Sequence, residues 1–382
     1  MNGTATRTLD KDDGDPSAGT RVTIEEFAIP ATLEAPGGTD FRRMVQVRNA
    51  IEVASAGTVD LQPTAEQLIQ AWNNFEFEPK RMFLARVDGD IVGRGTYEWQ
   101  PEGPPRIAFL AVEVLPQHRR TGIGAALLRT IESAAAADGR SVFQAWALHG
   151  VPGGATTISP PTGFGTVDAD RPEVRFLRRH GYSLEQVERV SKLTFPVAEP
   201  SLQQRFDTAA GHADGYRIES WVADVPERWV DDLAYLHSRM VTDAPSAALE
   251  FDEEDWTPAR VAKISEQVEA AGDQLLSVAA IDAGTDRAVG FSNLVVPSDA
   301  SRPAVQEDTL VVREHRGHRL GTLLKIANLQ QLQRISPRTP SVTTFNAEEN
   351  RPMLDVNEAV GFVPIGSEGA WKKAVPEPKS RP

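Results

Sequence analysis

The feature that most constrains the fold is a repeat, because the same order of sequence patterns occurs twice in the chain. Gly93 and Gly290 are 197 positions apart, and so are Arg119 and Arg316. Hydrophobic periodicity predicts the element order β-α-α-β-β-β-α-β-α-β in each half. We interpret the sequence as an internal duplication, in which each copy forms one structural unit.

The duplication predicts two domains, and 382 residues are enough for each to bury a core. A later glycine pair is only 180 positions apart, so the first copy has 17 extra residues, which fall in the Gly- and Pro-rich loop 149–170. That loop could cover the first site or lie between the domains. The predicted segments are a disordered N-terminus (1–20), a first domain (21–196), a linker (197–215), a second domain (216–374) and a disordered tail (375–382).

Composition disfavours or excludes several classes of function. The net charge of -14 disfavours binding to the phosphates of nucleic acids. The absence of cysteine excludes an acyl-cysteine intermediate and thiolate metal sites. A polar N-terminus without an apolar segment, and no apolar run of membrane-spanning length, predict a cytoplasmic protein.

Each copy places a short basic, glycine-containing loop between an apolar strand and a long helix. The loops read "RRTGIG" at 119–124 and "RGHRLG" at 316–321. Backbone N–H groups and the helix dipole make such a helix start an anion site, which arginines reinforce. The alternative is that the glycines only permit tight packing. His118, His315 and His318 flank the loops without metal-ligand spacing, so no metal is predicted.

The first loop resembles the acyl-CoA pyrophosphate loop [QR]xxGx[GA] of the GNAT superfamily of acyltransferases. The family's α4 signature NxxxxxxYxxxGF is matched from Asn350 to Phe362 and more loosely from Asp170 to Tyr182. The arrangement is similar to that of mycothiol synthase and other two-domain bacterial GNAT proteins. The resemblance implies an α/β (α+β) fold of two tandem domains, each with a mixed, mostly antiparallel splayed sheet flanked by helices. It also implies acetyl-CoA as donor, with no metal.

The resemblance assigns cofactor-binding residues to both copies. In the second copy Arg319 replaces the first glycine of the family motif, and we expect it at a helical N1-type position. A backbone N–H near Val114 or Val312 would hold the oxyanion of the tetrahedral intermediate. The implied CoA-binding residues are Val114, Arg119, Arg120, Thr121, Gly122, Ile123 and Gly124 in the first copy, and Val312, Arg316, Gly317, His318, Arg319, Leu320, Gly321 and Asn350 in the second.

Direct attack by an amine on the thioester needs a carboxylate base near the fourth strand of the copy, the strand that precedes the basic loop. The second copy offers Glu307 and Asp308, of which strand alternation allows only one to face the cleft, with Glu307 favoured; the first copy offers Glu113. All three could instead be solvated surface acids. The α4 tyrosine that protonates the CoA thiolate in many family members is replaced by Leu177 and Asn357. The source of that proton therefore stays open.

The acidic, aromatic segment 242–258 is a candidate wall for an amine acceptor, through Asp252, Glu253 and Trp256. The alternative is a hydrophilic loop that ends in Thr257 as an N-cap and Pro258 at the first helical position.

The leading hypothesis is an acetyl-CoA-dependent N-acyltransferase that acts on a small-molecule amine. One copy would be catalytic, with the second favoured, and the other degenerate or structural. Two alternatives remain: an aminoacyl-tRNA-dependent transferase on the same fold, with tRNA as the only nucleic-acid partner, and a non-catalytic acyl-CoA-binding module. We expect no membrane partner, and a monomer or homodimer.

Overall fold

The structure, a computed structural model, describes residues 7–8, 21–198, 200–243 and 245–375. The predicted disordered ends, 1–20 and 375–382, lie outside these ranges apart from 7–8 and Val375. Among the described helices, none combines the length and apolar character needed to cross a bilayer.

The first repeat follows the predicted order of elements. Its strands are β1 (Arg7–Thr8), β2 (Val22–Phe27), β3 (Lys80–Val87), β4 (Asp90–Glu98), β5 (Ile107–Val114), β6 (Val142–Gly150), β7 (Thr157–Ile158), β8 (Val167–Asp168) and β9 (Ser183–Thr194). Its helices are α1 (Gly38–Ala56), α2 (Ala65–Trp72), α3 (Ile123–Ala137) and α4 (Pro172–Arg179). The β3–β4 hairpin turns at Asp88 and Gly89, as predicted, and both residues have positive φ.

The second repeat has the same order after one additional helix. Its strands are β10 (Tyr216–Val222), β11 (Gln274–Asp282), β12 (Ala288–Val296), β13 (Ala304–Val311), β14 (Ser341–Ala347) and β15 (Val363–Ala374). The helices are α5 (Leu202–Ala210), α6 (Val230–Asp243), α7 (Pro258–Ala270), α8 (Leu320–Ile335) and α9 (Arg351–Val360). The mixed, mostly antiparallel sheets flanked by helices confirm the predicted fold class.

Helix α5 lies in the segment predicted to be an irregular linker. Ser201 accepts a hydrogen bond from the Gln204 amide, and the Gln204 side chain accepts one from the Ser201 amide. Leu202 and Ala209 are buried in the cores around α8. The S-x-x-Q capping box at 201–204 is the sequence signal for this helix that the periodicity analysis missed.

The chain forms two compact units that differ from the two contiguous domains predicted. Within the described residues, unit 1 contains 7–8, 21–148, 171–184 and 370–375, and unit 2 contains 149–170, 185–198, 200–243 and 245–369. Most of β9, the last strand of the first repeat, is therefore in unit 2, and the end of β15, the last strand of the second repeat, is in unit 1. The repeats have exchanged parts of their last strands.

Unit 1 has the strand order β1-β2-β3-β4-β5-β6. All of these pairs are antiparallel except β5–β6, which is parallel. Its core lies where α1 and α2 cover β3 and β4, and Phe41, Met44 and Met82 are fully buried there. The end of the chain joins this unit, because the Val375 amide donates to Ser141 O at 2.8 Å and Lys373 Nζ lies 2.8 Å from Glu132 Oε1.

Unit 2 has the strand order β9-β14-β13-β12-β11-β10. Here β13–β14 is the parallel pair, and β9 pairs with β14 from Glu188 to Thr194. Helix α8 packs on the centre of the sheet, where Leu324, Leu329 and Phe291 have no exposed surface. The first repeat therefore supplies a strand to this unit.

We predict that Trp371→Ala lowers the free energy of unfolding by about 3–5 kcal/mol, since Trp371 is fully buried near the end of β15. Val363→Ala on the same strand, where the side chain is 56 % exposed, should change it by less than about 0.5 kcal/mol. Urea unfolding of both variants measures the difference. Equal effects would mean that the end of the chain does not contribute to a core.

Candidate active site

The cleft in each unit forms where two neighbouring strands separate. In unit 2 the parallel pairing of β13 with β14 is limited to Ala304 and Val305, although both strands continue. In unit 1 the β5–β6 pairing covers only Ile107 to Phe109. Beyond these residues, backbone groups of the facing strand edges have no partner from the adjacent strand. This is the splayed sheet that the resemblance implied.

A β-bulge shapes the cleft edge of β13. Thr309 pairs with Ser292 and Gln306 pairs with Leu294, so one strand advances three residues while the other advances two. Gln306 Nε2 and Thr309 Oγ1 both contact Ser292 Oγ, at 3.0 and 2.9 Å, so these residues three positions apart share a face. Strict alternation fails here, and the bulge allows both intervening acids to project from the opposite face.

Those acids are Glu307 and Asp308, and both have raised pKa values. Burial and the neighbouring Asp308 raise the pKa of Glu307 to about 7. Burial and Glu254 raise the pKa of Asp308 to about 6. Glu307 is nevertheless an exposed residue and the side chain of Asp308 is 44 % exposed, so both lie in an open concavity rather than in the core. An enclosed but accessible carboxylate with a pKa near neutrality suits a general base.

An aromatic and acidic wall from α6 and α7 stands beside the two acids. The His237 ring stacks on Trp256 at 4.4 Å between centroids, and His237 Nδ1 is 3.6 Å from Asp308 Oδ2. Trp256 Nε1 donates to Glu254 Oε2 at 2.8 Å, and Arg260 lies 3.2 Å from the same carboxylate oxygen. Burial and Arg260 lower the pKa of His237 to about 4, so its imidazole is neutral at physiological pH.

The three residues predicted to bind the acceptor differ in their positions relative to the wall. Trp256 is in the wall, whereas the acid that contacts it is Glu254, and Glu253 is exposed. Asp252 is partly buried in the same loop. The Thr257 hydroxyl accepts from the Arg260 amide, so the alternative reading of a capped helix start is also correct.

Sequence reasoning missed His237 and Arg260, and it gave Glu254 only as one of several acids in the segment 242–258. Periodicity marks His237 only as an inward-facing position of α6, and nothing local connects it to residues 20 to 70 positions away. Its signal is chemical: a histidine on the apolar face of a helix, in the repeat that also carries Glu307 and Asp308.

Glu113, the candidate base of the first repeat, is engaged in an ion pair. Arg94 lies directly opposite Glu113 in the β4–β5 ladder and bonds its carboxylate through Nε. Burial alone would raise the pKa of Glu113, but the charges of Arg94 and Arg48 and the Arg94 hydrogen bond outweigh it, and the pKa is lowered. The equivalent ladder pair of the second repeat is Phe291 with Leu310.

A second ion pair lies close to the first. Arg48 pairs with Glu52 along α1, and the pKa of Glu52 is raised, chiefly by burial and partly by Glu113, against the opposing effect of Arg48. Paired charges thus fill the α1 side of β5, while the second repeat has acids with raised pKa values beside aromatic rings. The chemistry of the two repeats has diverged.

The two basic loops share one backbone conformation. The first has positive φ at Arg120 (65°) and Gly122 (90°), and the second has it at Gly317 (92°) and Arg319 (54°). Glycine and arginine therefore exchange places between the two left-handed positions. The predicted N1-type position of Arg319 is wrong: Arg319 is the N-cap of α8 and the helix begins at Leu320, because the loop requires a left-handed residue there.

Both helix starts fit an anionic group. Gly122, the N-cap of α3, has no side chain, and the side chain of Arg319 forms no hydrogen bond with α8, so the first-turn amides are left for a ligand or solvent. A Cβ added at Gly122 or Gly317 would meet no atom within 4 Å, so the space above each loop is open. Gly124 is closer to the core, since its Cβ would lie 3.3 Å from Phe176. Four further predicted residues lie within or beside these loops, namely His118, Thr121, Ile123 and His318.

The first arginine of each loop fastens it to the preceding strand. Arg119 Nε donates to Val114 O at 3.0 Å, and Arg316 Nε donates to Val311 O at 2.9 Å. Val311 is therefore the structural counterpart of Val114. The amide of Val312, our candidate oxyanion donor, donates to Val289 O at 3.1 Å and is used within the sheet.

Helices α4 and α9 have no exposed acid at the position where many family members have the tyrosine that protonates the CoA thiolate. Leu177 is buried, and the Asn357 amide is 1 % exposed and donates to Asn346 Oδ1 at 2.6 Å. The Asn350 side chain caps α9 by accepting from the Met353 amide. Tyr182 donates to Glu132 at 2.9 Å, and burial raises its pKa, so it is a packing residue.

Comparison with known proteins agrees with this geometry. Residues 49–149 match the family model described as the acetyltransferase (GNAT) family. A tandem GNAT protein from the clavulanic acid biosynthesis pathway has a similar fold, with a TM-score of 0.67 and 22 % identity over 92 % of this chain and 98 % of that one. The chain has the fold of a tandem GNAT protein.

Further solved structures share the GNAT fold. A GCN5-related N-acetyltransferase from Sphaerobacter thermophilus aligns with a TM-score of 0.59 and 14 % identity, over 88 % of this chain and 93 % of that chain. A glucosamine N-acetyltransferase region of a fungal multi-domain β-N-acetylglucosaminidase also gives 0.59, with 13 % identity over 95 % of this chain and 39 % of that one. No curated protein matches the sequence.

We predict that Glu113→Gln destabilises the protein by about 3–5 kcal/mol at pH 7, because Arg94 is left buried without its partner. The folded-state pKa of Glu113 is lowered, so its contribution is present above the unfolded pKa of about 4.3 and is lost as the pH falls further. The variant should approach the wild type at low pH.

Urea unfolding between pH 7 and pH 3 measures this convergence. Glu25→Gln is the matched control, since Glu25 pairs with Arg86 but is 36 % exposed, and it should cost at most about 1 kcal/mol. A cost for Glu113→Gln as small as that of the control would rule out a stabilising buried pair.

Proposed function

We propose that the protein is an acetyl-CoA-dependent N-acyltransferase that acts on a small primary amine, with the second repeat as the catalytic one. The observation that carries this proposal is the pair Glu307 and Asp308, which have raised pKa values at a bulge on the cleft edge of β13. The wall of Trp256, His237 and Glu254 stands beside them.

The donor would lie at the loop that precedes α8. Acetyl-CoA supplies an electrophilic thioester carbonyl and a thiolate leaving group. The first-turn amides of α8 and the exposed Arg319 would hold its pyrophosphate, while Arg316 fastens the loop to β13. The separated edges of β13 and β14 leave room for the extended arm between the strands. The first repeat has an equivalent loop, so a second donor site there is part of the proposal.

Glu307 is the proposed general base. An amine attacks only in its unprotonated form, so the site must remove a proton from the incoming ammonium group. With a pKa near 7, Glu307 is ionised in a substantial fraction of molecules at neutral pH and can accept that proton. Asp308 adds negative charge next to it, which raises the pKa of Glu307 and attracts a cationic acceptor.

The wall gives the acceptor site its character. Trp256 presents a ring for a cationic or apolar group, and Glu254 keeps that ring in place through Nε1. His237, neutral and enclosed by Trp256 and Phe291, adds no opposing positive charge near Asp308. A small amine with an apolar part fits this combination better than an anionic acceptor.

The first repeat is the proposed non-catalytic partner in the duplication. Glu113, the candidate base on β5, is paired with Arg94, and the pKa of Glu113 is lowered. Its loop still has the conformation and arginines of a pyrophosphate site.

We predict that Glu307→Gln lowers kcat by about 10²–10⁴-fold, the usual contribution of a general base. The wild-type kcat/KM should rise with pH and level off above about pH 7, because the base works deprotonated and the two acids titrate as a coupled pair. In Asp308→Asn the rising limb should move to lower pH, since the neighbouring charge is removed.

The measurement is CoA release from acetyl-CoA with a panel of small primary amines. Glu227→Gln, at an exposed acid outside the cleft, should behave as the wild type. A Glu307→Gln variant with wild-type kcat would remove Glu307 from the mechanism. Tight donor binding without CoA release for any amine would favour the non-catalytic module.

We also predict that Arg120→Glu and Arg319→Glu each remove one bound acetyl-CoA, because the carboxylate repels the pyrophosphate at a position that needs no buried contact. Native mass spectrometry counts the bound molecules. Arg43→Glu, on the exposed side of α1, is the control with the same change in charge. A wild-type chain that binds no acetyl-CoA would overturn the proposal and leave the tRNA-dependent alternative, which a labelled tRNA shift tests.

A further inference from the structure

The inserted loop of the first repeat builds a cavity in unit 2, whose lining contains none of the residues proposed for acyl transfer. The loop carries the β7–β8 hairpin, and the Asp168 carboxylate accepts hydrogen bonds from the amides of Gly153 and Gly154, at 2.9 Å for the shorter Gly154 contact. These bonds give the loop a defined conformation. Together with β9, β15 and the end of β14, it encloses about 330 Å³, at the small end of the range for ligand sites.

Glycines give the cavity its shape. A Cβ at Gly165 would lie 2.8 Å from Glu348 Cγ and 2.8 Å from Val187 Cβ. A Cβ at Gly366 would lie 2.7 Å from His149 O. Larger residues at either position would push the loop away from the strands, so the close approach that forms the cavity wall depends on both glycines.

A buried hydroxyl in the wall has no partner. Ser367 on β15 is only 4 % exposed, lines the cavity, and its Oγ forms no hydrogen bond within the described residues. A buried hydroxyl without a partner costs free energy, which a ligand that bonds to it would recover. Ser159 and Thr166 add two further hydroxyls to the lining.

The charges in the wall are already balanced. Arg189 holds Glu348 through two hydrogen bonds of 3.0 and 2.7 Å and bonds Glu358 at 2.8 Å. A charged ligand would have to compete with these ion pairs. A neutral ligand would leave them intact and would use the three hydroxyls and the glycine backbone, with Val151 and Pro364 for its C–H surface.

We propose that this cavity binds a small, neutral, polyhydroxylated molecule of monosaccharide or cyclitol size, with a hydroxyl group bonded to Ser367. Such a molecule offers donors and acceptors in several directions and no net charge. The site is separate from the proposed acyl-transfer residues and does not depend on them.

Saturation-transfer NMR on the full chain tests the site, with glucose, mannose, galactose and myo-inositol as probes. At least one probe should bind with a Kd on the order of 1 mM. Ser367→Ala should weaken that binding about tenfold by removing one hydrogen bond, and it should leave the melting temperature unchanged or higher, because it removes an unpaired hydroxyl.

A second variant blocks the cavity without touching its buried part. Val151→Trp, at a lining position that is 56 % exposed, should abolish saturation transfer. Val59→Trp, at an exposed position of unit 1, is its control and should bind as the wild type. The proposal is wrong if no probe binds at a probe concentration of about ten times that Kd. It is also wrong if binding persists unchanged in both Ser367→Ala and Val151→Trp.

Glucosamine and glucuronate test the requirement for neutrality. Both should bind the cavity more weakly than glucose, and tighter binding that depends on Ser367 would overturn the assignment to a neutral ligand. CoA release should be unaffected by Val151→Trp. Loss of acyl transfer and loss of sugar binding are therefore separate outcomes.

Discussion

Each unit depends on one short parallel contact between two strands, which are β5 and β6 in unit 1 and β13 and β14 in unit 2. Two or three residues hold the strands together, at Ala304 and Val305 in unit 2 and from Ile107 to Phe109 in unit 1, and beyond them the strands diverge. Divergence leaves strand edges without sheet partners, which soluble proteins normally cover. An extended ligand between the strands would satisfy those groups, which is the role that the proposed donor site gives to the opening.

The two repeats show how one backbone supports different chemistry. Their strand order, loops and helix starts correspond, yet Arg94 and Glu113 stand where the second repeat has Phe291 and Leu310. A paired charge stabilises the first repeat and removes its candidate base. In the second repeat the equivalent positions are apolar, and the acids lie at a bulge. Burial raises the pKa of both, with a further contribution from Asp308 to Glu307 and from Glu254 to Asp308.

Much of the fold could be predicted from the sequence because hydrophobic periodicity and the glycine turns are local signals. The order of elements, the Asp88–Gly89 hairpin and the helix starts after both basic loops are confirmed. The bulge at Glu307 was not predictable, since it depends on how two strands pair, and neither was the contact of His237 with Trp256. The exchange of last strands also leaves no local mark, because β9 and β15 read as ordinary strands wherever they pair.

That exchange has a consequence for how the protein is made. Unit 1 needs residues from 370 onwards, which emerge from the ribosome about 185 residues after Leu184. At synthesis rates of about 5–20 residues per second, the first repeat waits roughly 10–40 s for its final segment. Folding cannot simply follow the order of synthesis, and a gene that lost either copy would encode a protein with an incomplete sheet. Each unit therefore depends on residues of both copies, even though the chemistry of the two copies has diverged.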